Sequence, residues 1–117
     1  MDRAKIYDSL TVLKAAGAVT TTGQGSAVKV DGYTEVDAAI NVTALVGTGT
    51  YELAIQGSAD EAFTTPVDLA TFVIDEVGKH VVPFRNEFNG VEYPYVRIAY
   101  TLGGTSPSIN FEAWLAD

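Results

Sequence analysis

The run TEVDAAINVTALVGTGTYELAIQG, residues 34–57, decides the fold. In its first half Val36, Ala38, Ile40, Val42, Ala44 and Val46 fall on one side, while Glu35, Asp37, Asn41 and Thr43 fall on the other. That is the period of two expected of a half-buried β-strand. In the second half Tyr51, Leu53 and Ile55 alternate with Glu52, Ala54 and Gln56. Gly47, Thr48 and Gly49 between them read as a glycine-rich turn, so the stretch predicts a hairpin joining two apolar faces. Alone, the pattern specifies an antiparallel β-domain and no function.

Working outward, residues 1–9 hold only Ile6 and Tyr7 as large apolar side chains before the first strand, and read as an N-terminal arm. Such an arm is ordered only by docking on its own domain or on a neighbouring subunit, which makes Ile6 and Tyr7 candidate interface residues. Residues 10–16 and 27–30 are short strand candidates around a Thr/Gly/Ser-rich loop at 20–26, and Asp31-Gly32 is a turn pair. After the central run, residues 58–66 form a surface loop with Asp60, Glu61 and Phe63, and Pro66 belongs at a strand start or edge. Val67, Leu69, Thr71 and Val73 alternate with Asp68, Ala70, Phe72 and Ile74; residues 75–78 turn the chain, 79–84 make a strand, and 85–90 read as a polar loop ending in Asn89-Gly90.

The last third repeats the central pattern. Val96, Ile98, Tyr100 and Leu102 share one face, residues 103–107 connect, and Ile109, Phe111, Ala113 and Leu115 share the next. A second long hairpin facing the first gives an all-β fold, an antiparallel β-sandwich of jelly-roll-like form with about eight strands. No segment shows a helical period, so very little helix is expected.

At 117 residues the chain is long enough for one core, and residues 10–117 are read as a single domain. With no cysteine, neither disulfides nor thiolate metal sites are available. Seven basic residues against fifteen acidic ones give a net charge of −8, and the basic residues are scattered. An acidic surface repels phosphate backbones and anionic lipid, so direct nucleic-acid and membrane partners are not expected. The N-terminus, interrupted by Asp8 and Lys14, reads as neither a signal peptide nor a membrane span, which predicts a soluble protein made in the cytoplasm.

Most of the chain resembles the jelly-roll capsid decoration, or cement, proteins of tailed bacteriophages. The resemblance is carried by the early strand at 9–16, the Thr/Gly-rich loop at 20–26, the run 42–56 followed by Gly57-Ser58-Ala59-Asp60, and the terminal YVRIAYT at 95–101 with GGTSPS at 103–108. It implies a structural virion protein that sits as a homotrimer on the outer capsid surface, bridges neighbouring major capsid proteins and resists internal genome pressure. The same shape resembles sugar-binding β-sandwiches, which keeps a carbohydrate- or receptor-binding role in a phage tail or fibre as the alternative.

Candidate chemistry is sparse. His80 is the only histidine, which excludes a multi-histidine metal site and leaves no His–Cys pair. Gly23-Gln24-Gly25-Ser26 lacks the closing glycine of a nucleophile elbow and reads as a loop. The acid pairs Asp60/Glu61 and Asp75/Glu76 suit calcium or glycosidase chemistry in principle, but adjacent acids on loops are ordinarily solvated. No catalytic residue, metal or cofactor is therefore expected, and the chain is read as a binding protein rather than an enzyme. Tyr93, Phe88, Tyr95 and Trp114 draw more attention, because alternation places Trp114 and Tyr95 on the face opposite Ile98 and Phe111, with Arg97 beside Tyr95. Aromatics and arginine are enriched at interfaces, so Tyr95, Arg97 and Trp114 join Ile6 and Tyr7 as interface candidates; burial of Trp114 under a loop or the arm, and sugar stacking, are the other readings.

Overall fold

Two long strands take the place of the two expected hairpins. The computed structural model describes residues 12–30 and 35–116. In chain order the strands are β1 (Val12–Val19), β2 (Gly23–Gln24), β3 (Val28–Lys29), β4 (Glu35–Ser58), β5 (Val67–Ile74), β6 (Gly78–Arg85), β7 (Glu87–Phe88), β8 (Val91–Glu92) and β9 (Tyr95–Ala116). No helix occurs among the described residues. The arm at residues 1–9, with Ile6 and Tyr7, lies outside them, as does the Asp31-Gly32 turn. The fold is the all-β antiparallel sandwich that the alternation predicts, curled nearly into a barrel.

The hairpin over residues 34–57 does not form. β4 runs through Gly47, Thr48 and Gly49 and pairs antiparallel with β9 from Asp37↔Ala116 to Ser58↔Tyr95. Residues 103–107, expected as a connection, lie inside β9 for the same reason. Parity explains both corrections. The core side chains of β4 are Ala38, Ile40 and Val42, then Tyr51, Leu53 and Ile55; those of β9 are Val96 and Ile98, then Ile109, Phe111, Ala113 and Leu115. Within one strand, even- and odd-numbered side chains point to opposite faces, so each strand needs one inserted residue to keep both sets in a single core. The ladder supplies them: β4 carries the extra Thr43 between Val42 and Ala44, and β9 carries one where it passes from Ser108 to Thr105 opposite Val46 and Thr48. Consequently Leu45 packs on the core and Val46, expected inside, is exposed. Ser106 takes a positive φ of 51° and Gly104 one of 96° in the β9 bend.

On either side of this bend the two strands acquire different neighbours. One layer is β1-β9-β4-β6, built on the second half of β9 and the first half of β4. The other has β2 and β3 on the first half of β9, and β5 on the second half of β4. Folded face to face, the layers share one core, in which the Tyr100 ring meets Phe111 edge-on with centroids 5.7 Å apart. The seam between β1 and the opposite layer is stitched at Gly25, whose N–H donates to Ile98 O, and at Ser26, whose N–H donates to Leu13 O. A Cβ on residue 25 would come within 2.1 Å of the Leu13 carbonyl oxygen, so only glycine fits there. Where β1 slips register twice against β9, Lys14 Nζ donates to the carbonyls of Ala15, Gly17 and Phe111 and sits 4.4 Å from the Phe111 ring centre. Partial burial pulls the Lys14 pKa below its ordinary value.

Tyr51 closes the bend itself. Its buried hydroxyl donates to Val46 O at 2.8 Å and accepts from Ser108 N at 3.1 Å, so one side chain satisfies backbone groups of both bulged strands. Tyr51→Phe keeps the ring and orphans those groups, and should cost about 1–3 kcal/mol in chemical denaturation. An unchanged unfolding midpoint would show that the bend needs no such clamp.

Candidate binding surfaces

The side chains with binding chemistry collect in separate places. At the end of β4, the loop at residues 59–66 is organised by Asp60, whose carboxylate accepts from Thr64 Oγ1 at 2.7 Å, Ser58 Oγ at 3.0 Å and Thr64 N at 3.3 Å. Hydrogen bonds from the Thr64 and Ser58 side chains hold the Asp60 carboxyl below the usual carboxylate range. The loop turns Phe63 into the left-handed region at φ 54° and buries its ring. Arg97 stacks on that ring at 4.3 Å and donates from Nε to Gln56 Oε1 at 2.9 Å, while Gln56 Nε2 donates to Asp68 Oδ1 at 3.1 Å. This polar chain crosses β9, β4 and β5. Arg97 therefore shares the outer face with Tyr95, as expected, but its stacking partner is Phe63; Tyr95 is half-buried opposite Ser58 in the ladder.

Residues 85–90 contain half of a second, two-stranded sheet where a polar loop was expected. β7 and β8 pair through Phe88↔Val91, and Asn89 and Gly90 take φ of 53° and 80°, the signature of a type I′ hairpin turn. Glu87 accepts from the Gly90 N–H, and Asn86, itself buried, donates from Nδ2 to Tyr93 O while its carbonyl accepts from Tyr93 N. The hairpin thus has a pinned base and an apolar tip, with Phe88 46% and Val91 50% exposed. The signal for it was Asn-Gly set between Phe88 and Val91, two residues of strand preference.

Trp114 lies in the other layer, near the far end of β9 from Tyr95. It belongs to a row Val12–Trp114–Ala39–Val81 running across all four strands on the outer face. Ala39 in this row is only 1% exposed, whereas Val12 and Val81 at its ends are exposed. Lys79 Nζ is 5.8 Å from the Trp114 ring centre. The three described interface candidates therefore do not form one site: Tyr95 and Arg97 mark one end, and Trp114 another layer.

Among the described residues, the groups that the sequence offers for catalysis do not converge. His80 is half-buried, with Nε2 3.1 Å from Glu76 O, and Asp75 and Glu76 are exposed. Among the described residues no group of three His, Cys, Asp or Glu side chains could hold a metal ion. No protein-family model matches the chain, and no curated protein matches it.

Two outcomes follow from the Phe63 end. In a double-mutant cycle, Phe63→Leu and Arg97→Ala should couple by about 0.5–2 kcal/mol, the range of a partly desolvated cation–π contact, and purely additive effects would remove that contact from the loop's support. Because the Asp60 carboxyl is depressed in the folded chain, its stabilising contribution is present above the ordinary carboxylate pKa and lost as pH falls through the folded value. Asp60→Asn should accordingly flatten the acid limb of a stability–pH curve; the same limb in parent and variant would assign it to other carboxylates.

Proposed function

We propose that the chain is a structural virion protein: a capsid decoration protein that binds the outer surface of a bacteriophage head as a homotrimer and bridges neighbouring major capsid proteins. The observation that supports this reading is the spread of exposed apolar side chains over one cross-braced core. Phe88 and Val91 sit at the hairpin tip, Val12 and Val81 end the row that holds Trp114 on one layer, and Val73 and Val77 bracket the turn from β5 to β6. A body with several separate contact patches can hold several neighbours at once, and each contact after the first is effectively intramolecular. The location on the virion follows from the same reading.

A carbohydrate- or receptor-binding role is the second reading, favoured by one specific feature: Tyr95 stands beside the Arg97–Gln56–Asp68 chain, an aromatic next to a run of polar groups. Co-sedimentation with heads of the phage that carries the gene, light scattering of the free protein and a glycan array separate the two. On the decoration reading, Trp114→Ala should lower head occupancy about 30-fold, or about 2 kcal/mol, while the unfolding transition persists. His80→Ala should leave occupancy nearly unchanged. Strong glycan binding abolished by Tyr95→Ala, with no affinity for heads, would establish the second reading instead.

A further inference from the structure

Among the described strands the sandwich has four sheet edges, and three of them are blunted. β1 slips register twice, and its Leu13, Ala15 and Gly17 carbonyls are taken by Ser26 N and Lys14 Nζ. β2 and β3 are two-residue pieces separated by the Gly25 seam. β6 holds Pro83, which has no N–H to offer, and carries Lys79 as its second residue after Gly78. β5 is different. It pairs only with β4 among the described strands, and residues 70–74 keep continuous register with 55–51, the irregularity lying beyond them at Leu69. This segment, ATFVI, has no proline and no charge, and Val73 on it is 66% exposed. Among the described residues no backbone hydrogen bond joins 70–74 to anything but β4, so the N–H and C=O groups on its other side can serve as a template for one more strand.

We propose that the β5 edge accepts an extended segment of a partner protein by strand addition, and that this segment has an uncharged, β-branched centre with lysine or arginine at both ends. Charge selects the occupant. The uncharged stretch is bounded by Asp68 on one side and by Asp75 and Glu76 on the other, on a chain of net charge −8. A two-fold pairing of β5 with a second copy, centred on Phe72 so that both core faces stay aligned, would set Asp68 of each copy toward Asp75 and Glu76 of the other. Like charges opposed across a ladder are unfavourable, whereas basic flanks meet acids at both ends. Lys79 does not offset the second acidic end, because its ammonium is turned over Trp114 on the other layer. The edge also runs into a pocket of about 330 Å³ lined by Leu45, Tyr51, Val73, Ile74 and Asp75, which offers an apolar anchor site next to a carboxylate. The proposal does not rest on the capsid reading, since any protein with such a segment qualifies.

The test uses the full chain and two synthetic nine-residue peptides with the same alternating valine–threonine centre, one flanked by lysines and one by glutamates. The lysine-flanked peptide should bind at least 10-fold more tightly by calorimetry and should slow amide exchange within residues 70–74. Val73→Lys, a change at an exposed position, should weaken that binding at least 10-fold without lowering the unfolding midpoint. Equal affinity for the two peptides, binding indifferent to Val73→Lys, no binding at all, or a parent dimer whose protected amides map to β5 would each overturn the proposal.

Discussion

The β4–β9 ladder is the constraint on which the rest of the molecule depends. It is the longest pairing in the structure, and every other strand of the main sheet hydrogen-bonds to one of its two members. Because both strands bend at the same level, a single ladder serves two layers, and the sandwich is one sheet folded upon itself. A sheet folds this way only if its inner face stays apolar through the fold, and a strand's strict alternation works against that. One extra residue in each strand resolves the conflict. With Thr43 on β4 and its counterpart between Ser108 and Thr105 on β9, the register beyond the bend is the register before it, so the ladder continues unbroken in both directions.

Local devices cluster where this solution leaves backbone groups without partners. Tyr51 reaches the bend with its hydroxyl, Thr43 Oγ1 donates to the Asn110 carbonyl beside the first bulge, and Lys14 gathers three carbonyls where β1 loses register. Buried backbone polar groups are costly when unpaired, which is why irregular strands carry such side chains and regular ones do not need them. The same economy shapes the surface. Asn86 pins the β7–β8 hairpin, and Asp60 folds the loop that seats Phe63 under Arg97. The Phe63 loop and the Phe88–Val91 hairpin are therefore short, internally braced segments carried by the two-layer frame, whereas Tyr95, Arg97 and Trp114 stand on β9 itself.

The apolar face of the long segments was largely legible in the sequence, since Ile40 and Val42, Leu53 and Ile55, Ile98, and Ile109 and Phe111 all reach the core, although Val46, expected among them, does not. The outward direction of Tyr95, Arg97 and Trp114 followed from the same alternation. What misled was the pair of glycine-rich stretches, residues 47–49 and 103–107, because Gly, Thr and Ser are shared by turns and by bulged bends. The change from even- to odd-numbered apolar positions was the signal that separates the two only when combined with partner register, which is a property of two distant segments. The hairpin at Phe88–Val91 carried its Asn-Gly signature openly. The contact of Phe63 with Arg97 did not, since the two lie far apart in the chain.

By itself the sequence determined the class of the fold, much of the apolar face of its long strands and the acidic balance of the chain, because alternation, β-branched residues and net charge act locally or as sums; it did not place Val46 outside or Phe63 inside. The tertiary structure alone decided that residues 35–58 and 95–116 are single bent strands paired with each other. It also decided that Trp114 and Tyr95 belong to different layers, and that β5 is left as the regular, uncharged edge. These are matters of which strand lies beside which, and strand neighbours are set by long-range pairing and by the packing of one shared core, neither of which any short stretch encodes.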